Sequence, residues 1–213
     1  MTWTGSNDST LPSAPNWSAD EQPLILASAS PRRRELMAQA GYRFRVVPSS
    51  VDESAFPSEG VDAATYATQL ALAKARDVAA GLVRHWVLGA DTVVESDGRI
   101  LGKPADAADA EQIVRRLFSG PHRVVTGLAL VCRTAGLEFV DSDTTIVYPR
   151  PMTEEQIGLH IRGGTWRDKA GAYAIQEGGD ALVDRLAGSL TNVVGLPLEC
   201  LGRMLAKAGY RTA

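Results

Sequence analysis

Residues 24–36, LILASASPRRREL, restrict what this chain can build more than any other stretch. Leu24-Ile25-Leu26-Ala27 is an apolar run with the length and composition of a buried strand. Ser28, Ala29 and Ser30 follow, and Pro31 then opens a helix, because its missing N–H would be unpaired at that position anyway. Ser30 is the expected N-cap. Arg32, Arg33 and Arg34 crowd the first helical turn, where free amides and the macrodipole already concentrate positive charge. Arginines fanning into water would ease that conflict. A bound polyanion would remove it, since amides, hydroxyls and guanidiniums would converge on its oxygens, and the strand–turn–helix setting favours this second reading.

Such an anion site would be local. The 213-residue chain carries a net charge of −3, which argues against the basic surface of a nucleic-acid binder. Its 45 % apolar share is that of a soluble globular protein, with length for one large domain or two lobes. Cys132 and Cys200 are too few for a disulfide framework or zinc motif, which suggests buried thiols in a reducing cytoplasm. No apolar run approaches a membrane span. Residues 1–22, rich in Ser, Thr, Asn and Pro, lack the basic start and apolar centre of a signal peptide. They are expected to form a disordered tail before a single domain over residues 23–213.

Along that domain, Gly41 ends the first helix and residues 42–48 suggest a second strand. Val51-Asp52-Glu53-Ser54 sets two carboxylates in a loop. Asp62 is expected to cap a helix over Ala63–Ala80, closed by Gly81. Tyr66, Leu70, Lys74 and Val78 recur every four residues, so Lys74 lies on the apolar stripe, where it must snorkel outward or meet an anion. Trp86-Val87-Leu88 suggests a short strand ending at Gly89-Ala90-Asp91-Thr92, with small residues allowing a ligand close to the backbone. Asp97-Gly98 marks a hairpin that delivers Lys103, held extended by Pro104. Asp106 caps a helix with Ala110, Ile113, Val114 and Leu117 inward. Residues 123–132 form a long strand, with two more at 137–140 and 144–148 separated by polar turns. Thr153 to Gln156 is a capping box. The last helix turns Leu198, Leu201 and Leu205 inward. His85, His122 and His160 show no ligand spacing, so oxygen donors and Mg²⁺ or Mn²⁺ are favoured over zinc.

SASPRRREL, followed in order by VDES, GADTVV, GKPADAADA, HRVVTG, DKAGAYAIQ and TNVVGLP, resembles the Maf family of nucleoside triphosphate pyrophosphatases, once described as septum-formation inhibitors. The resemblance runs over residues 24–205. It implies an α/β fold, an elongated mixed sheet with flanking helices in two lobes around a cleft, commonly in a homodimer. It implies cleavage of a nucleoside triphosphate between the α and β phosphates. Asp91 would be the general base and, with Glu53, a ligand of Mg²⁺ or Mn²⁺. Lys74 and Lys103 would serve catalysis, and Ser28, Arg32 and Arg33 would hold the triphosphate with them. Arg32, Thr92 and Gln176 match the subgroup acting on dTTP and UTP rather than on 7-methyl-GTP. Glu177 stands where glycine is usual, which bears on the loop beside Gln176.

Two other functions fit parts of the chain. A regulator of septum formation would bind nucleotide and a partner without turnover. A nucleic-acid-binding module would need a basic face with stacking aromatics, against the acidic balance and low aromatic content.

Overall fold

A computed structural model describes residues 22–82, 84–167, 169–173, 175 and 182–210. The expected tail over 1–22, bar Gln22, lies outside the described residues, as do Gln176 and Glu177. Seven strands and six α-helices alternate among the described residues. β1 is Leu24–Leu26, α1 Pro31–Gln39, β2 Phe44–Val46 and α2 Ala63–Ala80. β3 is Trp86–Ser96, β4 Arg99–Leu101, α3 Ala107–Leu117 and β5 His122–Cys132. β6 is Leu137–Pro149, α4 Glu154–Gly163 and β7 Val183–Ala187. Two helices close the chain, α5 over Leu190–Val194 and α6 over Leu198–Lys207. The fold is the expected α/β class, a mixed sheet with flanking helices.

The sheet order is β2-β1-β3-β5-β6-β7, with β4 beside β3. β1 pairs parallel with β2 and with the start of β3; the pairs from β3 onward are antiparallel. Along one edge of β3, β1 reaches only Val87 and Leu88, and β4 begins only at Val94. Residues 89–93 between them have no strand on that side among the described residues. The site described below opens at this gap.

Caps explain most helix boundaries. Ser30 Oγ accepts from Arg33 N, Asp62 Oδ1 from Ala64 N and Thr65 N, and Asp106 Oδ1 from Asp109 N. Thr153 and Gln156 form the expected capping box. Two strand readings need correction. β3 does not stop before Asp91 but runs unbroken to Ser96, putting Asp91 mid-strand. The two strands expected over 137–140 and 144–148 are one strand, β6. Its polar middle serves an exposed edge: Asp141 and Asp143 accept from the next backbone amides, Ser142 N and Thr144 N, before β7 covers the edge from Ile146. β7 itself carries no alternation strong enough to mark it beforehand.

α2 packs on one face of β3 and β5 at backbone distance. A Cβ on Gly89 would strike the Ala71 carbonyl, and one on Gly127 the Ala67–Thr68 peptide. The small residues before Asp91 therefore admit a helix, not a ligand as the sequence suggested. On the opposite face the core falls into two clusters. One gathers Leu36, Met37, Leu128, Leu196 and Leu201 around α1 and α6; the other gathers Val94, Val114, Leu117, Val147 and Trp166 around α3 and α4. No helix among the described residues is long and apolar enough to cross a membrane.

Candidate active site

Strand period two places Gly89, Asp91 and Val93 towards α2, and Ala90, Thr92 and Val94 towards the opposite face. Because β3 is uncovered along one edge here, a cleft of about 790 Å³ reaches both Asp91 and Thr92. Ser28, Arg32, Arg33, Glu53, Lys74 and Lys103 also line it. Eight of the nine residues singled out from sequence thus meet in one cavity of ligand size. The ninth, Gln176, lies outside the described residues.

Lys74 is central to the charged cluster. Its Nζ is 2.6 Å from Asp91 Oδ1 and 2.7 Å from Glu53 Oε1. Lys74 and Asp91 are buried, whereas Glu53 is half-exposed. Lys103 Nζ stands 3.7 Å from Glu53 Oε2. The two expected fates for Lys74 are thereby decided: it meets carboxylates and does not snorkel. Glu53 stands in a short 3₁₀ turn, Glu53–Ala55, capped by Asp52, and Ser50 ties the preceding loop to Asp77 of α2.

The two carboxylates are pushed in opposite directions. Burial raises the Asp91 pKa above that of an ordinary aspartate, opposed by the charges of Lys74 and Arg33. Burial also works upward on Glu53, but there the Lys74 hydrogen bond and charge, with Lys103 and Arg33, outweigh it and lower the value. One carboxylate is thus easier to protonate and the other held ionised, a separation suited to distinct roles.

Arg33 leaves the capped start of α1 and is held on three sides. Its Nε donates to Gly195 O at 2.8 Å, Nη1 to Ser28 Oγ at 3.1 Å and Nη2 to Thr92 Oγ1 at 3.0 Å. Burial pulls its pKa below the usual value, against the raising charge of Asp91. Ser28 Oγ also accepts from Ser30 N, so its own hydrogen remains as a donor to the cleft.

Sequence reasoning did not single out Arg167, Lys169 or Tyr66 as site residues, although all line the cleft. Lys169 lies inside the DKAGAYAIQ stretch, which was a usable signal. In the sequence Tyr66 marks only the helix stripe; in the fold its phenol pKa is raised first by burial, then by the charges of Asp91 and Glu53. Among the described residues, six basic side chains line the cleft against two carboxylates. In a chain of net charge −3, that local excess suits a polyanion.

His122 is buried and hydrogen-bonded within the fold. Its Nδ1 donates to Leu117 O at 3.2 Å, so Nε2 accepts from the Tyr173 hydroxyl at 2.7 Å. Among the described residues, no group of three or more His, Cys, Asp or Glu side chains could hold a metal. Glu53 and Asp91 nevertheless converge on one cation, the Lys74 ammonium, which takes one oxygen from each. Two carboxylates with phosphate oxygens completing the shell is the usual way a hard cation is held, so the donor set fits Mg²⁺ or Mn²⁺.

The family model for Maf-like proteins matches residues 23–208. A dTTP/UTP pyrophosphatase of Citrifermentans bemidjiense is 46% identical over 175 residues, covering 82% of this chain and 90% of its own. One from Moorella thermoacetica is 47% identical over 190 residues, covering 87% and 95%. A HAM1 protein from Coxiella burnetii overlies 87% of this chain and 99% of its own with a TM-score of 0.45 and 16% identity.

Proposed function

The chain belongs to the Maf family, and from that premise we propose that it hydrolyses nucleoside triphosphates at the α–β anhydride, yielding a monophosphate and pyrophosphate. The observation that carries the reading is the Glu53–Lys74–Asp91 cluster beside a buried, immobilised Arg33. A chain with that cluster needs a polyanion to balance its cations and offers a carboxylate whose proton affinity is raised.

In this reading Arg32, Arg33, Lys103 and the Ser28 hydroxyl hold the phosphates, with the amides at the start of α1. Asp91 accepts the proton of the attacking water. The water oxygen bonds to the α-phosphorus while the bond from that phosphorus to its bridging oxygen breaks, and pyrophosphate departs. Lys74 fixes Asp91 through Oδ1, leaving Oδ2 to face the water. Lys74 and Lys103 also offset charge that builds on the transferring phosphoryl group. Glu53 and Asp91 would hold Mg²⁺ or Mn²⁺, which when bound neutralises phosphate charge and polarises the phosphoryl oxygens.

Relatives named dTTP/UTP pyrophosphatase, and the Arg32, Thr92, Gln176 pattern as a mark of that subgroup, support dTTP and UTP as preferred substrates, with the Gln176 amide as the group that would meet the pyrimidine edge. A cytoplasmic homodimer completes the reading. The test is a panel of dTTP, UTP, CTP, GTP and 7-methyl-GTP with Mg²⁺ or Mn²⁺ and detection of pyrophosphate against orthophosphate. Pyrophosphate release led by dTTP and UTP is the expected result. A lead for 7-methyl-GTP would overturn the base preference, and binding without release of pyrophosphate from any nucleotide would overturn the enzymatic reading in favour of a regulator.

A further inference from the structure

Between the two apolar clusters on one face of the sheet runs a band of buried polar side chains. Thr126, Thr145 and Asn192 are fully buried, and Thr92 joins them from the cleft side. Thr92 Oγ1 and Thr126 Oγ1 are 2.9 Å apart, and Thr126 Oγ1 donates to Asn192 O at 3.0 Å. Asn192 Nδ2 donates to Val124 O at 2.9 Å and to Thr145 Oγ1 at 3.0 Å. Its Oδ1 is buried with no partner among the described residues. An orphaned buried acceptor is destabilising, and apolar side chains would fill this band without that penalty. The band therefore has a purpose other than holding the two clusters together.

Hydrogen-bond direction supplies that purpose. A hydroxyl carries one hydrogen. That of Thr126 is committed to the Asn192 carbonyl, so Thr126 can only accept from Thr92. The Thr92 hydrogen is then committed to Thr126, and its oxygen accepts from Arg33 Nη2. The chain runs one way, from guanidinium to hydroxyl to hydroxyl to carbonyl. Asn192 belongs to α5, whose C-cap is Gly195, and the Gly195 carbonyl accepts from Arg33 Nε at 2.8 Å. Both fixed edges of the guanidinium thus lead back to the same five-residue helix, and Asn192 pins that helix to β5 and β6.

We propose that Thr92, Thr126 and Asn192 are positioning residues that set the Arg33 guanidinium against the triphosphate, and that Thr92 acts through Arg33 instead of touching the base. This rests on the triphosphate reading above. Among the described residues, three of Arg33's five N–H groups are taken, which fixes the plane of the guanidinium where it lines the cleft and with it the direction of the other two. A guanidinium that keeps one orientation loses less freedom when it binds phosphate.

Thr126→Val keeps shape and removes the hydroxyl; Thr126→Ser keeps the hydroxyl. The expected result for Thr126→Val is a fall in kcat/KM of about tenfold, by the same factor for dTTP, UTP, CTP and GTP, as for a lost hydrogen bond to a charge-bearing chain. Thr126→Ser should recover most of it. Thr92→Val should lower all four nucleotides alike. In an Arg33→Ala background Thr126→Val should have no further effect, since the group it orients is gone. Inorganic pyrophosphate affinity, read by calorimetry without turnover, should weaken in Thr126→Val and recover in Thr126→Ser. That measurement separates the proposal from the enzymatic reading: absence of nucleotide hydrolysis sinks the latter and leaves the affinity comparison decisive for the former. Equal losses in both Arg33 backgrounds would show a merely structural threonine, and a changed dTTP-to-GTP ratio in Thr92→Val would show direct base contact. Either result overturns the proposal.

Discussion

Lys74 Nζ lies 2.6 Å from Asp91 Oδ1, tying the middle of α2 to the middle of β3 through a buried ion pair. Glu53 shares the same ammonium at 2.7 Å, so one lysine aligns two carboxylates from separate elements. An ion pair in such a place contributes little net stability, because desolvation offsets attraction. Its value lies in orientation and in the different proton affinities it gives the two acids.

Asp91→Asn keeps the side-chain size and abolishes the proton acceptor. The rate of pyrophosphate release should fall by about two to four orders of magnitude. The thermal midpoint should not drop, because burial already disfavours the charged form of Asp91. Retained activity in the folded variant would move the base to another residue.

The pH profile follows from the same environment. Asp91 must be ionised to accept a proton, and its raised pKa places the acid limb of kcat/KM above that of an ordinary aspartate. Glu53, lowered by Lys74 after burial is overcome, stays charged throughout that range. Lys74→Met removes the charge that holds Asp91 down, so whatever activity remains should show its acid limb at higher pH. An unmoved limb would assign it to a different group.

Gly89 tests how α2 is seated. Gly89→Ala drives a methyl into the Ala71 carbonyl and within 2.9 Å of Ala75 N, three residues and one residue from Lys74. Overpacking of this kind costs about 1–3 kcal/mol. A lower thermal midpoint and a lower kcat should appear together, since the helix that moves carries Lys74. Loss of stability with full kcat would uncouple the seating from the site.

His122, held by Tyr173, makes stability depend on pH. Burial lowers the His122 pKa below its unfolded value of about 6.5. The unfolded chain then takes up a proton that the folded chain refuses, so His122 favours the folded state above about pH 6.5 and stability falls as pH drops through that value towards the folded pKa. His122→Gln should flatten part of the fall in thermal midpoint between about pH 7.5 and 5.5. Tyr173→Phe leaves Nε2 without its donor and should lose about 1–3 kcal/mol at neutral pH, measurable by urea titration.

Local signals settled a great deal before any fold was known. Ser30, Asp62, Asp106 and Thr153 cap helices where their sequence contexts indicated, because a cap is decided within four residues. Asp97-Gly98 forms its hairpin for the same reason. The four-residue spacing of Tyr66, Leu70 and Lys74 put the lysine on the buried face, and ordered motifs named the residues of one cleft. Tertiary structure alone decided what those residues do to one another. Residue spacing gave Gly89 room for a ligand, yet the space is filled by Ala71, which is eighteen positions away in the chain. It placed Asp91 at a strand end, yet pairing with β5 carries β3 through it. Nothing in Thr92, Thr126 or Asn192 marks them as one chain of hydrogen bonds, since each belongs to a different element: sheet register sets Thr92 against Thr126, and the docking of α5 on the sheet brings in Asn192. Short-range preferences are written in neighbouring side chains, whereas the charge balance at Asp91 and the seat of Arg33 arise only when distant elements remove water from the same small space.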